Sequence, residues 1–373
     1  MGKTDPNPSM TMNWDAITKR IARSESTSRM LVVAETGLTG QQASRGPRRR
    51  WDDAAVTARV TVLDDYQDVA RRIGPWQELD GRIELEVINE HIGDPDELTR
   101  RLAEAEIVMA MRERTPFPRE VFERLPKLKL LVSTGMGNAA IDVAAAAELG
   151  VVVSGTDIPT SPTAELTWGL ILAVTRHIPA EDANLRAGGW QLAVGRELSG
   201  RTLGVIGLGR QGSRVAKFGL AFEMDVLAWS QNLKPEDAVA LGVVPVEKER
   251  LLSASDVITL HLRLSDRTRG IISAPDLALM RSSAYLINTS RGPLVDQVAL
   301  VEALHRGSIA GAGIDVYDEE PLPAGHPLRT APNTVLTPHI GYVSEDTYEM
   351  FFTQAVEDIA AYLDGTPIRV YDT

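Results

Sequence analysis

The sequence predicts an α/β protein made of two doubly wound, parallel-sheet domains that flank a cleft. From Arg59 onward, short β-rich runs alternate with helical stretches, which is typical of βαβ units and a parallel sheet. This alternation occurs twice, before and after a break at Gly188-Gly189-Trp190. A last helical stretch follows the second set, and we expect it to return to the first domain. The first domain is therefore predicted to be discontinuous.

One strand of the first set is marked by apolar residues that recur at every second position. Ile83, Leu85 and Val87 alternate with polar residues, as in a half-buried strand. A helix is predicted over residues 143–149, with Gly150 as a plausible C-terminal stop. The strands predicted in this set are residues 60–63, 83–88, 107–109, 128–132 and 151–153.

A long helix is predicted over residues 162–178, after the first-domain strands and before the break, and the second set of strands follows the break. One apolar face of this helix combines Ala164, Leu166, Leu170, Ala173 and Val174. The strands predicted next are residues 203–206, 226–229, 257–260, 285–288, 313–316 and 335–337. A final amphipathic helix is predicted over residues 344–363. These elements divide the chain into a substrate domain (59–160 and 340–373) and a dinucleotide domain (161–339).

Composition limits the kinds of function that the chain can have. Its net charge of −12 argues against nucleic acid or an anionic membrane as a partner. It has no cysteine, which excludes disulfides and thiolate metal sites and fits a reducing, cytoplasmic location. We predict no metal site. No apolar run approaches the roughly 20 residues of a membrane-spanning helix. Residues 1–58 hold nine basic and six acidic residues without a periodic apolar run, so we expect a mostly disordered extension.

A glycine motif stands where a strand of the second set gives way to a helix. The buried run 203–206 leads directly into a G-x-G-x-x-G sequence, and a helical stretch follows. Such glycines allow a tight turn, backbone approach to a pyrophosphate and close helix packing, while the helix N-terminus faces the phosphates. The domain is therefore expected to be Rossmann-like. The residues expected to contact a dinucleotide here are Gly207, Gly209, Arg210, Gln211 and Gly212.

The choice between NAD and NADP is open at this stage. An acidic residue at the end of the next strand would bind the ribose 2′-hydroxyl and repel a 2′-phosphate. Ser230 stands there instead, and Arg210 or Lys234 could reach a phosphate. No arginine directly follows Ser230, however, as a dedicated phosphate clamp would favour.

Three further motifs follow strands of the second set. Arg291 lies in the run Asn288 to Pro293, Glu320 follows the strand that contains Asp315, and His339 follows Pro338. Because ligands of open α/β sheets bind at the C-terminal edge of the strands, we expect Arg291, Glu320 and His339 to converge on one cleft.

In this order, the motifs resemble those of the D-isomer-specific 2-hydroxyacid dehydrogenases, from about residue 59 to the C-terminus. The resemblance also rests on Gly135-Met136-Gly137 with Asp142, on Ala164-Glu165 and on His261-Leu262. It implies a hydride transfer between NAD or NADP and C2 of a small 2-hydroxy or 2-keto acid. The site residues that it implies are Arg291, Glu320 and His339 for catalysis, Asp315 for the nicotinamide carboxamide, His261 and Thr289 on the cofactor side, and Met136 with Gly137 for the substrate carboxylate.

The chemistry independently requires these residue types. Reduction of a 2-keto acid adds a hydride to C2, and the carbonyl oxygen gains a proton that His339 can supply. Glu320 can orient the imidazole and stabilise its charged form. Arg291 can pair with the carboxylate and polarise the carbonyl group. Backbone N–H groups near Met136 can bind the rest of the carboxylate.

Several residues depart from the family pattern or could contact substrate. In His261-Leu262-Arg263, Arg263 takes the place of the proline in the family's usual His-x-Pro. Tyr342 replaces a small residue after the catalytic histidine, so Tyr342 could narrow the pocket. Tyr66, which follows the first strand, could contact substrate. Arg112 and Arg114 follow another first-domain strand and could bind a second anionic group.

Two alternatives remain beside the dehydrogenase. A formate or phosphite dehydrogenase on the same fold is disfavoured because the formate branch pairs its histidine with glutamine rather than with a residue like Glu320. A dinucleotide-sensing, corepressor-like binding protein is disfavoured by the acidic charge and the intact catalytic set. Because family members are commonly homodimers, we expect a homodimer whose contact includes the helix over residues 162–178.

Overall fold

The computed structural model describes residues 57–372 and contains two parallel β-sheets. The first sheet is formed by β1 (Ala58–Val62), β2 (Ile83–Val87), β3 (Ile107–Ala110), β4 (Leu130–Ser133) and β5 (Val152–Gly155). Its strand order is β2-β1-β3-β4-β5, and every neighbouring pair is parallel. Strands β3 and β4 are buried on both faces, which explains their continuous apolar sequences.

The second sheet has seven strands, again all parallel. They are β6 (Thr202–Ile206), β7 (Asp225–Trp229), β8 (Val244–Pro245), β9 (Val257–Leu260), β10 (Tyr285–Asn288), β11 (Gly311–Ile314) and β12 (Thr334–Leu336). The order is β12-β11-β10-β9-β6-β7-β8. The order reverses between β6 and β9, so the crevice of this doubly wound sheet lies at the ends of these two strands.

Helices connect the strands of both sheets. In the first lobe they are α1 (Ala70–Ile73), α2 (Pro95–Arg101), α3 (Arg119–Glu123) and α4 (Val143–Glu148). The chain then continues through α5 (Ser161–Thr175), α6 (Ile178–Arg186), α7 (Arg210–Ala221), α8 (Pro235–Ala240), α9 (Lys248–Ala254), α10 (Ala274–Leu279), α11 (Gln297–Arg306) and α12 (Glu345–Leu363). Three 3-10 turns occupy Trp76–Leu79, Gly292–Leu294 and Pro327–Thr330. None of the helices within residues 57–372 has the length and apolar character needed to cross a bilayer.

The last helix belongs to the first lobe by its packing. Phe351, Phe352, Ala355 and Ile359 of α12 are fully buried in one cluster with strand residues such as Val60. Their spacing of three or four residues creates the apolar face that covers the first sheet. The first lobe therefore includes α12, which follows the second sheet in the sequence.

The predicted fold class, two parallel-sheet α/β domains, is confirmed, whereas several element ends differ from expectation. Most predicted strands are displaced by one or two residues, and β8 was not predicted. The helix expected over 162–178 ends at Thr175, because His177 takes a left-handed conformation (φ 54°) and α6 begins at Ile178. The extension predicted over residues 1–58 lies outside the described residues except for its last two, and Ala58 already begins β1.

Candidate active site

A cavity of about 1390 Å³ lies between the two lobes and is lined by residues of both. The segments that follow the C-terminal ends of the parallel strands contribute most of its wall. Arg291, Glu320 and His339 all line it, so these three side chains lie on one cleft. Its volume exceeds that of an ordinary small-molecule pocket, so it can hold more than one small compound.

The imidazole of His339 is held by a carboxylate. Its Nδ1 lies 2.6 Å from Oε2 of Glu320, whose Oε1 accepts the Tyr317 N–H at 2.9 Å. Burial alone would raise the pKa of Glu320, but the hydrogen bond to His339 and the imidazole charge lower that pKa below its usual range. Within residues 57–372 we find no hydrogen-bond partner for His339 Nε2. That nitrogen is therefore available to a ligand in the cavity.

The segment that carries His339 is anchored by Asp315, a residue expected to bind the cofactor carboxamide. Asp315 is fully buried and is absent from the cavity wall. Burial raises its pKa, although the hydrogen bonds that it accepts oppose this shift. These bonds come from the Thr337 hydroxyl at 2.6 Å and from the Ile340 and Gly341 N–H groups, each at 2.9 Å. Asp315 thus supports the left-handed backbone at His339 (φ 53°), and its contact with a carboxamide stays a prediction.

Arg291 has a partner that the sequence analysis missed. Its Nη2 donates to Oε1 of Glu113 at 2.7 Å, and its Nη1 donates to the Ser290 carbonyl at 2.7 Å. Glu113 belongs to the first lobe, so this ion pair spans the cleft. The other oxygen of Glu113 lies 3.4 Å from Nη2 of Arg112. A signal was present in the sequence, since Glu113 stands between two arginines in the segment that follows a predicted strand.

The two first-lobe arginines of this segment differ in their surroundings. Arg112 lines the cavity, but its Nη1 donates to the Thr134 carbonyl and its Nη2 faces Glu113. Arg112 is therefore occupied within the protein rather than free for the second anionic group that we expected. The guanidinium of Arg114 lies 4.7 Å from the ring centroid of Tyr66 and 5.4 Å from that of Tyr342. Cation–π attraction on two sides thus fixes Arg114 in the cavity wall.

The two tyrosines that were singled out lie differently. Tyr342 is buried, lines the cavity and packs edge-on against the His339 ring, with 5.9 Å between centroids. It therefore narrows the cavity beside the imidazole, as expected. Tyr66 is 42% exposed and is not part of the cavity wall. Burial of its hydroxyl, with the nearby Asp64 charge, raises the pKa of Tyr66 to about 12.

The loop between β4 and α4 offers backbone donors to the cavity. Gly135 and Gly137 have φ angles of 102° and 106°, which favour glycine, and Met136 is 48% exposed. Met136 and Gly137 both line the cavity. Among residues 57–372, neither of their N–H groups has a hydrogen-bond acceptor. Two unpaired N–H groups at a cavity wall are suited to an anionic ligand.

The glycine motif has the shape of a dinucleotide cradle. Gly207 has φ 97°, and a Cβ at Gly212 would collide with the Gly207 carbonyl oxygen. A Cβ at Gly209 would meet only open space, and α7 begins at the next residue. Of the residues expected to contact a cofactor, those that line the cavity are Gly209, Arg210, Gln211, His261 and Thr289. The strand–turn–helix geometry thus fits a pyrophosphate at the start of α7.

His261 and Ser230, both predicted to contact the cofactor, differ in their surroundings. His261 is deeply placed, its Nε2 lies 2.9 Å from the Thr259 hydroxyl, and burial lowers its pKa to about 3, so the ring is neutral. Ser230 directly follows β7 and is half-buried, but it lies outside the cavity wall. Gly207 and Gly212 also lie outside it, which agrees with roles in backbone shape rather than in contact.

Comparison with known proteins decides the family. Residues 168–341 match the family model for the D-isomer specific 2-hydroxyacid dehydrogenase, NAD binding domain. The chain is 40% identical over 256 residues to a glyoxylate reductase of Aeropyrum pernix. The aligned stretch is 66% of this chain and 76% of that protein. The chain belongs to the D-isomer specific 2-hydroxyacid dehydrogenase family. The family and reaction class predicted from the sequence are thereby confirmed.

Two other similarities extend over more of this 2-hydroxyacid dehydrogenase. A hydroxypyruvate reductase of Blautia hydrogenotrophica is 33% identical over 331 residues, which is 84% of this chain and 99% of that protein. A crystal structure of a putative D-3-phosphoglycerate dehydrogenase from Ralstonia solanacearum superimposes with a TM-score of 0.80 at 39% identity. It covers 84% of this chain and 96% of that one. The similarity therefore includes both lobes.

The geometry of this 2-hydroxyacid dehydrogenase suits a proton transfer beside a hydride transfer. The enzyme is an oxidoreductase that moves a hydride between a nicotinamide dinucleotide and C2 of a 2-hydroxy or 2-keto acid. An imidazole with a carboxylate partner, a guanidinium and unpaired N–H groups all line one cavity. An acid group, an anion-binding charge and an oriented cofactor are the three components that such a reaction requires.

Proposed function

We propose that this dehydrogenase reduces a small 2-keto acid to the D-2-hydroxy acid, with His339 as the proton donor. The observation that carries the proposal is the 2.6 Å contact between His339 Nδ1 and Glu320, which leaves Nε2 for the substrate oxygen. Glu320 stays ionised because its pKa is lowered by His339, and its charge stabilises the imidazolium that donates the proton.

Arg291 and the loop at Met136 and Gly137 are proposed to bind the substrate carboxylate. Arg291 carries a charge that can pair with an anion, and its remaining N–H groups are not engaged by Glu113. The unpaired N–H groups of the loop can bind the second carboxylate oxygen. We assign substrate binding to residues 59–160 and 340–373, and dinucleotide binding to 161–339. A bound nicotinamide supplies the hydride, and the chain itself orients the acid and delivers the proton.

We further propose that NADPH is accepted beside NADH. No acidic side chain stands at the end of β7, where Ser230 is half-buried, so no fixed charge there repels a 2′-phosphate. Arg210 is exposed at the first residue of α7 and can approach such a phosphate. The absence of cysteine from the chain supports the proposal of a cytoplasmic, reducing location.

A homodimer is proposed on the basis of exposed apolar side chains. The helix expected to form the contact, residues 162–178, does not suit it, because α5 buries most of its apolar side chains in its own lobe. A group of exposed apolar residues lies at the end of this range and just after it: Ile178 (51%), Leu185 (57%), Trp190 (76%), Leu192 (60%) and Val194 (95%). We call residues 190–194 the arm. Glu181 accepts hydrogen bonds from the N–H groups of Leu192 and Ala193, which holds this arm in place.

In the same lobe, α5 and α7 enclose an apolar depression of about 310 Å³ lined by Trp168, Leu172, Phe218 and Phe222. Exposed apolar side chains and an apolar depression on one surface are features of protein–protein contacts. In a two-fold dimer the same surface of each copy is used, so the exposed apolar residues of one copy can contact the apolar depression of the other.

The experiment that tests the proposed reaction is a panel of keto acids assayed with NADH and NADPH in parallel. Glyoxylate, hydroxypyruvate and pyruvate are the substrates, with formate and phosphite assayed in the oxidative direction. We expect turnover with at least one keto acid, and His339→Ala should lose most of it, about 10²-fold or more, while it retains cofactor binding. Tight NADH binding without turnover of any keto acid would instead favour a dinucleotide sensor.

A further inference from the structure

The described residues after α12 cover the edge of the first sheet. After α12 the chain turns at Gly365 (φ 74°) and runs back along β5, the edge strand. The Gly155 N–H donates to the Arg369 carbonyl at 3.0 Å, and the Tyr371 N–H donates to the Val153 carbonyl at 2.9 Å. The tail thereby satisfies backbone groups that an edge strand would otherwise expose.

Side-chain bonds hold this tail on α12. Arg369 donates from Nε to Asp358 Oδ1 at 2.8 Å, and its Nη2 donates to the Gln354 carbonyl at 2.7 Å and to Glu357 at 2.8 Å. Asp358 is 1% exposed, so this is an anchored contact rather than a loose surface pair. The residues that follow Arg369 consequently have a defined position.

Tyr371 extends from the tail to the loop that lines the cavity. It is 9% exposed and packs in the first-lobe core, with its ring against Gly155, where a Cβ would lie 2.6 Å from the Tyr371 Cε1. Its hydroxyl donates to the Gly135 carbonyl at 2.5 Å. The N–H of Gly135 itself donates to the Thr156 hydroxyl at 2.9 Å. Tyr371 also lines the cavity.

The Gly135 carbonyl shares a peptide plane with the Met136 N–H. In a trans peptide these two groups point in opposite directions, so a bond that fixes the carbonyl also fixes the direction of the N–H. Gly135 is a residue with φ 102°, whose backbone is intrinsically more mobile than that of other residues. The Met136 N–H has no acceptor among residues 57–372, and Met136 lines the cavity.

We propose that Tyr371 is a positioning residue for substrate: its hydroxyl locks the Gly135–Met136 peptide so that the Met136 N–H meets the substrate carboxylate. This inference rests on the proposed function, because it assigns the loop to carboxylate binding. It connects the end of the chain to substrate affinity and leaves proton and hydride transfer to other groups. The expected signature is a change in KM for the keto acid with little change in kcat.

The test is Tyr371→Phe, which retains the ring and removes one hydrogen bond. We expect KM for the keto acid to rise about tenfold, the inhibition constant of oxamate, an unreactive keto-acid analogue, to rise in parallel, and KM for NADH to change less than twofold. Tyr362→Phe is the matched control, because it removes a tyrosine hydroxyl from the same C-terminal region at a residue with no side-chain hydrogen bond within 57–372. It should leave all three constants unchanged.

The outcomes separate the inference from the proposed function. Unchanged keto-acid and oxamate constants in Tyr371→Phe, with a lowered melting temperature, would give Tyr371 a structural role only and overturn the inference. An equal rise in KM for NADH would overturn it as well. Should Tyr371→Phe not fold, a chain ending at residue 370 is assayed for the same selective loss. If the wild-type enzyme reduces no keto acid, the proposed function fails first and the inference fails with it.

Discussion

We expect proton delivery in this enzyme to depend on one carboxylate, that of Glu320. Glu320 accepts from His339 Nδ1 at 2.6 Å, and that contact lowers the pKa of Glu320, which favours its negatively charged form. Reduction requires the protonated imidazole and oxidation the neutral one. The reduction rate should therefore be highest at low pH and decline as the pH rises, and the oxidation rate should do the reverse.

Glu320→Gln tests this dependence. Without the negative charge the imidazolium is less stable, so the decline in the reduction rate should begin at lower pH, and kcat at neutral pH should fall about 10²-fold. The pH profile of kcat measures this. Glu319→Gln is the control, because Glu319 is an exposed neighbour. Identical profiles for both variants would remove Glu320 from the mechanism.

Arg291 depends on an acidic residue of the opposite lobe. Glu113→Gln should raise KM for the keto acid about tenfold, because the charged hydrogen bond that holds Arg291 Nη2 at 2.7 Å is lost. KM for NADH should stay within twofold of the wild-type value. Glu123→Gln, which changes an exposed acid of the same lobe, is the control. A lower KM in Glu113→Gln would instead mean that Glu113 competes with substrate for Arg291.

At the scale of the secondary-structure elements, we expect the end of β7 to control cofactor choice. Ser230→Asp should raise KM for NADPH at least about tenfold and leave KM for NADH unchanged or lower, since the new carboxylate repels a 2′-phosphate and can bind a 2′-hydroxyl. Steady-state kinetics with both cofactors measure this. Ser253→Asp adds the same charge on the exposed side of α9 and serves as the control. Equal effects on both cofactors would show that Ser230 does not face the ribose.

The sequence was sufficient to predict those elements whose signal is local. Alternating or continuous apolar runs predicted most strands, and the glycine motif predicted the turn before α7. The break at His177 was missed, because it depends on one left-handed residue inside an apolar periodic stretch. The tail at Tyr371 was also missed, since three residues pairing with an edge strand leave no periodic pattern.

Among the site residues, too, only those with a local sequence signal could be predicted. Arg291, Glu320 and His339 were predicted to converge because parallel strands share one edge, and they do line one cavity. The pairing of Arg291 with Glu113 connects residues 178 positions apart, and no sequence rule links them. The burial of Asp315 beneath the His339 segment likewise depends on three-dimensional packing that the sequence leaves open.

At the scale of the whole molecule, the arm at Trp190 predicts a dimer. Trp190→Glu combined with Leu192→Glu should convert the protein to a monomer at micromolar concentration, because two charges would be placed in an apolar contact. Sedimentation velocity measures this. Val298→Glu, at a residue that is 73% exposed on α11, should leave the dimer intact. A wild-type protein that sediments as a monomer at the same concentration would contradict the proposed contact.

The most direct test of the reaction follows the hydride itself. The enzyme is given a 2-keto acid and NADH that carries deuterium at the transferred position, and the product is analysed by mass spectrometry and chiral chromatography. We expect one deuterium on C2 of a D-2-hydroxy acid, with none exchanged for solvent hydrogen. A product whose C2 hydrogen comes from solvent, or one of L configuration, would contradict the proposed arrangement of cofactor, His339 and substrate.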